Sequence, residues 1–277
     1  MTDLSIVIVS HNTRGDLVRC LESLHAAPPS IAHDIIVVDN QSADGSAAAA
    51  RQWPGVSVIE SGANLGFARA NNIAIRASTA SLLLLLNSDT IVPAGAIDTL
   101  VAELTSRPDA AVAGPRLVDG QGRSELSFGP MPGPLNELRQ KILFRGQVLR
   151  LPLLSHLVER ATRRRQEPGW VTGACLLVRR SDAEAVGLLD EGYFMYLEDV
   201  DFCAALRARG RKILFTPAAE IVHLRGRSAA SAPAETRRAY RRSQVRFYEK
   251  HRIFWAPLLR LYLRFRGQLE EGSGLKA

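Results

Sequence analysis

The chain has 277 residues, of which 46% are hydrophobic and 23% are charged, and its formal net charge is +7 at pH 7. This composition is typical of a globular protein with one large α/β domain, alone or with a helical appendix. Three cysteines, far apart and each among apolar neighbours, exclude a disulfide framework and a zinc site and favour a reduced, cytoplasmic protein: Cys20, Cys175 and Cys203.

The N-terminus leads directly into a β-branched stretch, with no basic region or cleavage site of a secretory signal. No uninterrupted apolar stretch approaches the ~20 residues that a spanning helix needs. We therefore expect a soluble protein, or one that is peripheral at the inner face of the cell membrane.

Strand and helix alternate four times in the first 90 residues. Short apolar runs predict strands, and apolar residues at helical spacing or alanine-rich stretches predict the helices between them. The strands are predicted at Leu4–Val9, Ile35–Val38, Val56–Ile59 and Leu82–Leu86, and the helices near 17–24, 46–52 and 67–77. This alternation predicts an α/β fold, Rossmann-like, with a mostly parallel central sheet flanked by helices.

Two common nucleotide-binding signatures are missing from this half of the chain. The turn after the first strand contains no Gly-x-Gly-x-x-Gly, and no Gly-x-x-x-x-Gly-Lys-Ser/Thr loop occurs. The sheet therefore has a nucleotide-binding layout without the signatures of dinucleotide enzymes or P-loop phosphotransferases.

The second half is less regular. We predict a helix at 94–106, strands at 110–114, 170–180 and 212–215, and a helix at 194–206. The predicted domain division is a main domain of residues 1–235, made of a nucleotide-binding half (1–115), a basic, weakly amphipathic insert (116–168) and an acceptor and catalytic half (169–235). Residues 236–277 then form a basic, aromatic, helical C-terminal segment.

Polar side chains follow each predicted parallel strand, in four clusters: Ser10/Asn12, Asp39/Asp44, Asn64–Asn71 and Asn87/Asp89. Ligands of open α/β sheets bind outside the carboxyl ends of the strands, where these clusters would meet. Asp89 is suited to a divalent cation that bridges to phosphate oxygens, and Asp39 to a ribose or base. The alternative is that these residues form turns and helix N-caps, with Asp89 capping the helix near Pro93.

A second acidic group, Glu198 and Asp199, falls in the first turn of a predicted helix. Such acids commonly compensate the helix dipole. A carboxylate near apolar groups and another acid can also act as a general base, because its pKa is raised. His223 follows a strand-like segment and is either a metal ligand or an ordinary histidine of the core or surface.

Taken together, these residues resemble family 2 glycosyltransferases of the GT-A fold, and among them the bacterial rhamnosyltransferases that extend cell-surface polysaccharides. The resemblance covers about residues 4–255 in order. It rests on the motifs Ser-Ile-Val-Ile-Val-Ser-His-Asn (5–12), Val-Val-Asp-Asn-Gln-Ser-Ala-Asp-Gly-Ser (37–46), Asn-Leu-Gly-Phe-Ala-Arg-Ala-Asn-Asn (64–72), Leu-Leu-Asn-Ser-Asp (85–89), Trp-Val-Thr-Gly-Ala-Cys-Leu-Leu-Val-Arg-Arg (170–180) and Phe-Met-Tyr-Leu-Glu-Asp-Val-Asp-Phe-Cys (194–203).

The resemblance implies a role for each matching residue. Asp199 would be the base that deprotonates the acceptor hydroxyl, with Glu198 beside it. Asp89 and His223 would hold Mg²⁺ or Mn²⁺ against the diphosphate. The nucleotide-sugar would be bound by Ser10, Asn12, Asp39, Asn64, Gly66, Phe67, Asn71, Asn87 and Ser88, and the acceptor by Trp170 and Gly173. One departure is that Asn87 replaces the first acid of the family's Asp-x-Asp motif.

The implied function is an inverting transfer of a sugar from a nucleotide-sugar, L-rhamnose from dTDP-L-rhamnose or else a UDP-sugar, to a glycan or lipid-linked acceptor. One base and no second spaced carboxylate favour a single displacement. Two alternatives stay open: a nucleotidyltransferase, for which the turn at 11–15 is a poor triphosphate loop, and a non-catalytic protein that binds nucleotide-sugars or polyanions.

Between Arg237 and Arg266, ten Lys or Arg residues stand against one acid and alternate with aromatic and leucine side chains. This pattern predicts either a segment that lies on an anionic membrane surface or a helix packed on the core with a solvated basic face. No recognition motif accompanies the basic residues, so we do not expect nucleic acid as a partner.

Overall fold

The structure is a computed structural model, and it describes residues 2–224 and 233–268. Its strands are β1 (Leu4–Ser10), β2 (His33–Asp39), β3 (Val56–Glu60), β4 (Leu82–Asn87), β5 (Thr90–Ile91), β6 (Ala110–Val118), β7 (Phe128–Gly129), β8 (Trp170–Val171), β9 (Cys175–Arg179) and β10 (Lys212–His223). Its helices are α1 (Arg14–Ala26), α2 (Ser46–Ala50), α3 (Phe67–Ala77), α4 (Ala96–Thr105), α5 (Pro134–Val148), α6 (Pro152–Thr162), α7 (Arg180–Ala185), α8 (Glu198–Ala208), α9 (Pro233–His251) and α10 (Ala256–Phe265).

An eight-stranded sheet forms the centre of the molecule, in the order β3-β2-β1-β4-β9-β6-β10-β5. The neighbours β3, β2, β1 and β4 are parallel, as are β6 and β10, whereas β9 and β5 run antiparallel to their neighbours. This confirms the predicted α/β fold with a mostly parallel central sheet and flanking helices.

The leucine run of β4 explains how the sheet is buried. Leu82, Leu84 and Leu86 pack in the core cluster on one face of the sheet, and Leu83 and Leu85 pack in the cluster on the other. Side chains of a strand alternate between its two faces, so an unbroken apolar run requires helices on both sides. The three cysteines are buried and unpaired, as predicted.

The strand predicted at 170–180 is divided into β8 and β9, which lie in different sheets, and two predicted boundaries were also wrong. The helix predicted from Phe194 begins at Glu198, because Tyr196 and Leu197 have φ angles of +70° and +65°, which no helix accommodates. The strand predicted at 212–215 continues to His223. The register of β10 shifts between Thr216 and Glu220, and such a bulge tolerates the proline at position 217.

The C-terminal segment contains two different helices. Helix α9 packs on the domain through Phe247 and Tyr248, which are buried, as expected for a helix on the core. Around and in α10, apolar side chains face solvent, and Phe254 and Phe265 are 93% and 91% exposed. Across residues 2–224 and 233–268, no helix is both long and apolar enough to cross a membrane. The predicted domain division stays a prediction, and residues 269–277 of this segment lie outside the described residues.

Candidate active site

The loop after β2 presents a buried carboxylate. Oδ2 of Asp39 accepts a 3.0 Å hydrogen bond from the backbone amide of Ser42. Oδ1 of Asp39 is buried and has no hydrogen-bond partner in the part of the chain that the structure describes. A buried carboxylate oxygen without a partner is costly, so it suits a ligand that brings its own N–H or O–H group.

The loop after β1 is hydrogen-bonded to the loop after β2 on one side and to the end of β4 on the other. Oδ1 of Asn12 accepts a 2.7 Å hydrogen bond from the amide of Ala43, in the loop after β2. Oγ of Ser10 lies 2.9 Å from Oγ1 of Thr13, which lies 2.9 Å from Oγ of Ser88 at the end of β4. Three of the predicted residues are therefore joined in one network at the carboxyl ends of the strands.

Asn40 is a residue of this network that the sequence did not single out. Its Nδ2 donates 3.0 Å to Oδ1 of Asn64, and its Oδ1 accepts from the amide of Leu65 at 2.9 Å. Its carbonyl oxygen lies 2.8 Å from Nδ1 of His11. Asn40 directly follows Asp39 in the same motif, which is the only local signal that could have revealed it.

Gly66 and Phe67 connect the nucleotide side of the site to the loop that precedes α8. The amide of Phe67 donates a 2.8 Å hydrogen bond to the carbonyl of Phe194. Gly66 has φ +81°, and a Cβ there would overlap the same carbonyl. Only glycine permits this approach. Asn71, by contrast, is buried and donates within its own helix, to the carbonyl of Phe67 at 2.9 Å.

Asn87, Asp89 and His223 converge at the ends of β4 and β10. Nε2 of His223 lies 3.2 Å from Oδ1 of Asp89 and 3.5 Å from Nδ2 of Asn87. Asp89 does not cap the following helix, because α4 begins at Ala96 with Gly95 at its N-cap and no side-chain capping bond. The helix-cap alternative for Asp89 was therefore wrong.

Glu125 lies on the other side of the same imidazole, and the sequence did not indicate it. Its Oε2 is 3.1 Å from Nδ1 of His223, although the two residues are 98 positions apart. Burial alone would lower the pKa of His223, but its hydrogen bonds to Asp89 and Glu125 outweigh burial and raise that pKa to about 9. The histidine thus lies between two carboxylates.

Asp199 lies at the start of α8 and faces the β8–β9 loop. Its Oδ2 accepts a 2.8 Å hydrogen bond from the amide of Gly173, and its Oδ1 accepts from the amide of Val200. Burial raises the pKa of Asp199, although these backbone donors oppose the increase. Burial raises the pKa of Glu198 as well, and the neighbouring charge of Asp199 raises it further. Burial and mutual repulsion therefore disfavour a state in which both adjacent acids are charged.

The β8–β9 loop contacts both the Asn87–Asp89–His223 group and the Glu198–Asp199 pair. The amide of Asn87 donates to the carbonyl of Ala174 at 2.9 Å, next to the Gly173 that holds Asp199. A Cβ at position 173 would press against Phe67 and Asp199. Trp170 lies at the rim of this region, where its Nε1 donates to the carbonyl of Pro130 at 3.0 Å.

Residues 5–184 match the model of the family described as "Glycosyl transferase family 2". The chain belongs to glycosyl transferase family 2. It is 32% identical over 278 residues to an N-acetylglucosaminyl-diphospho-decaprenol L-rhamnosyltransferase of Mycobacterium tuberculosis, a match that covers 95% of this chain and 90% of the relative. It is also 27% identical over 256 residues to the rhamnosyltransferase WbbL of Escherichia coli, covering 90% of this chain and 93% of that protein.

Solved glycosyltransferases share the fold. A mannosyltransferase from Pyrobaculum calidifontis, in complex with GDP-Man and Mn²⁺, superposes with a TM-score of 0.62 at 16% identity, over 94% of this chain and 70% of the other. GalNAc-T7 with UDP, GalNAc and Mn²⁺ gives 0.59 at 18% identity, over 80% and 43%. The predicted GT-A fold and family are confirmed. This family 2 glycosyltransferase is therefore an enzyme, and the nucleotidyltransferase and non-catalytic alternatives lose their support.

Proposed function

We propose that the protein transfers L-rhamnose from dTDP-L-rhamnose to a hydroxyl of a lipid-linked sugar, with inversion at the anomeric carbon. The observation that carries this proposal is that the β8–β9 loop contacts both parts of the site. The amide of Gly173 holds Asp199, and the carbonyl of the next residue, Ala174, accepts a hydrogen bond from Asn87 of the Asn87–Asp89–His223 group. The named activities of the two relatives support the choice of sugar, and the Mycobacterium tuberculosis enzyme supports a lipid-diphosphate acceptor.

The donor nucleotide would occupy the loops after β1, β2 and β3. Oδ1 of Asp39 would accept a hydrogen bond from the ribose or the base, which satisfies its buried oxygen. Asn12 and Gln41 have φ angles of +54° and +64°, so the two loops are held in strained conformations. Strain of this kind is typical of loops that are shaped for a ligand rather than for stability.

The residues at the ends of β4 and β10 fit a divalent cation, Mg²⁺ or Mn²⁺. Asp89 and His223 would hold it once Nε2 of His223 has given up its proton to make room for the cation, with Asn87 adjacent and Glu125 orienting the imidazole through Nδ1, an arrangement common around metal-bound histidines. No cluster of three or more His, Cys, Asp or Glu side chains that could hold a metal is present within the described ranges. Phosphate oxygens of the donor would complete the shell. When bound, the cation would stabilise the negative charge that develops on the diphosphate leaving group.

Asp199 would take the proton of the acceptor hydroxyl while that oxygen bonds to the anomeric carbon and the bond to the diphosphate breaks. The amides of Gly173 and Val200 hold the carboxylate in place for this step. Glu198, whose pKa is raised well above its ordinary value, would stay protonated beside it. A single base of this kind implies one displacement and therefore inversion.

The test is donor binding and donor hydrolysis across a panel of dTDP-, UDP- and GDP-sugars, with and without Mn²⁺. We expect metal-dependent binding of dTDP-L-rhamnose that is lost in Asp89→Ala and kept in Glu22→Ala, a carboxylate on the exposed face of α1. If the folded protein binds no member of the panel, the proposal is wrong. Preference for another sugar would overturn the rhamnose assignment alone.

A further inference from the structure

A cavity lies beside the candidate cation site and is lined by none of the predicted donor-binding residues. It has a volume of about 960 Å³ and lies between residues 119–125, which follow β6, and the turn from α5 to α6. Glu125 and Leu224 form part of its wall, and both adjoin His223 of the candidate cation site. The volume is sufficient for a sugar diphosphate.

The charges in this cavity favour an anion. Two of its acids are already paired: Asp119 with Arg123, and Glu159 with Arg116 and Arg163. The third acid, Glu125, contacts His223.

Two nitrogen-bearing side chains of the lining, Arg150 and His156, have no ion pair or hydrogen bond from their side chains to any residue that the structure describes. A guanidinium group offers several donors that match the oxygens of a phosphate. Arg150 and His156 are exposed, so their side-chain nitrogens are available to a ligand, and the ligand that the Arg150 guanidinium fits is an anion.

The rim of the cavity is apolar and continues onto the molecular surface. Phe144 and Val148 line the cavity and are 48% and 65% exposed. Next along the chain, Leu149, Leu151 and Leu153 are 66%, 45% and 72% exposed. A contiguous exposed apolar surface of this kind marks an interaction site, and beside a cationic cavity it fits a hydrocarbon chain attached to an anionic group.

The cavity is also connected to the proposed base. Glu125 lies two residues before Ser127, whose carbonyl accepts a 2.8 Å hydrogen bond from the amide of Thr172. Thr172 precedes Gly173, which holds Asp199. The cavity wall at Glu125 is therefore linked through the backbone to the loop that holds Asp199.

We propose that this cavity binds the diphosphate of the lipid-linked acceptor, with Arg150 and His156 contacting the phosphates and the α5–α6 turn contacting the lipid chain. This rests on the proposed function, since that function supplies an acceptor of this chemistry. The cavity would hold the acceptor from the side opposite the donor nucleotide, and thus set which sugar hydroxyl reaches Asp199.

The test is direct binding of farnesyl diphosphate to the full chain, with Mn²⁺ and saturating dTDP present so that the donor site is filled. We expect Arg150→Glu to weaken this binding by about tenfold or more, as loss of a charge-assisted contact does. Arg150→Gly provides a second variant without strain, because Arg150 has φ +54°. Arg145→Glu is the matched control, an exposed arginine of α5 that does not line the cavity.

Two further probes separate the parts of the ligand. Farnesol and inorganic diphosphate should each bind more weakly than farnesyl diphosphate. In the double variant Phe144→Ser and Val148→Ser, the affinity for farnesyl diphosphate should fall to that for inorganic diphosphate. Equal affinity in the wild type, both Arg150 variants and Arg145→Glu would overturn the proposal, as would absence of binding in the wild type. Failure of the proposed function would give a different result from failure of this cavity proposal: farnesyl diphosphate would bind, but no rhamnose would be transferred.

Discussion

The backbone amide of Gly173 donates a 2.8 Å hydrogen bond to Oδ2 of Asp199, which fixes the carboxylate against the β8–β9 loop. That loop continues into β9, the antiparallel strand between β4 and β6. The position of the proposed base is thus set by the central sheet together with its own helix, whose Val200 amide donates to Oδ1.

Asp199→Asn should reduce transfer by about 10²–10⁴-fold, the usual contribution of a general base, and should leave donor affinity nearly unchanged. The measurement is kcat for transfer together with the dissociation constant of dTDP-L-rhamnose. Glu198→Gln, at the neighbouring acid, should cost less because the protonated form of Glu198 is already favoured. Substantial residual transfer by the Asp199 variant would exclude it as the base.

The pH profile should show the raised pKa of Asp199. A base must be deprotonated to act, so kcat/KM should fall as the pH decreases through a pKa above the ~3.9 of an ordinary aspartate. Glu198→Gln should keep this acidic limb, since glutamine resembles the protonated glutamate. A limb at the ordinary value, or its disappearance in the Glu198 variant, would contradict the assignment.

His223→Ala should weaken Mn²⁺ binding by the dTDP complex, and Glu125→Gln should weaken it by about tenfold, because the glutamate only orients the ring. A titration with Mn²⁺, monitored through the paramagnetic resonance signal of the free ion, would measure the Mn²⁺ affinity of both variants. His33→Ala, at the start of β2, serves as the control. Equal Mn²⁺ affinity in all three variants and the wild type would remove His223 from the cation site.

Gly66→Ala should destabilise the fold more than Gly62→Ala, by about 1–3 kcal/mol. Both glycines have positive φ angles, +81° and +75°, so the backbone disfavours alanine at either position. Only at position 66 would the new Cβ overlap the carbonyl of Phe194, whereas nothing lies within 4 Å at position 62. Urea unfolding of the two variants measures the difference. Equal destabilisation would show that the contact between the Phe194 loop and α3 is dispensable.

Truncation after Arg252 should release the protein from vesicles that contain phosphatidylglycerol, with little binding to phosphatidylcholine in either form. The cut is placed after α9 because the end of this helix is bound to the domain. Lys250 and His251 pair with the buried Asp201, and Arg252 donates to the carbonyl of Pro132. It removes α10 with its exposed aromatic and basic side chains. Undiminished sedimentation of the truncated protein with anionic vesicles would contradict membrane binding by this helix.

Local patterns in the sequence were sufficient for much of this protein. The four strand–helix units, the polar clusters at the strand ends and the acid pair opening α8 follow from periodicity and turn-forming residues, which act over a few positions. The leucine run 82–86 indicated a strand buried on both faces, and β4 is one.

Other features required the tertiary structure. The insertion of β9 between β4 and β6, the contact of Glu125 with His223 and the cavity beside the α5–α6 turn each join residues that are distant in the chain. Such pairings depend on which buried faces and polar groups satisfy one another after the chain has collapsed, and no local period records that choice. The sequence therefore determined what kind of site this protein has, and the packing of the sheet decided which side chains meet there.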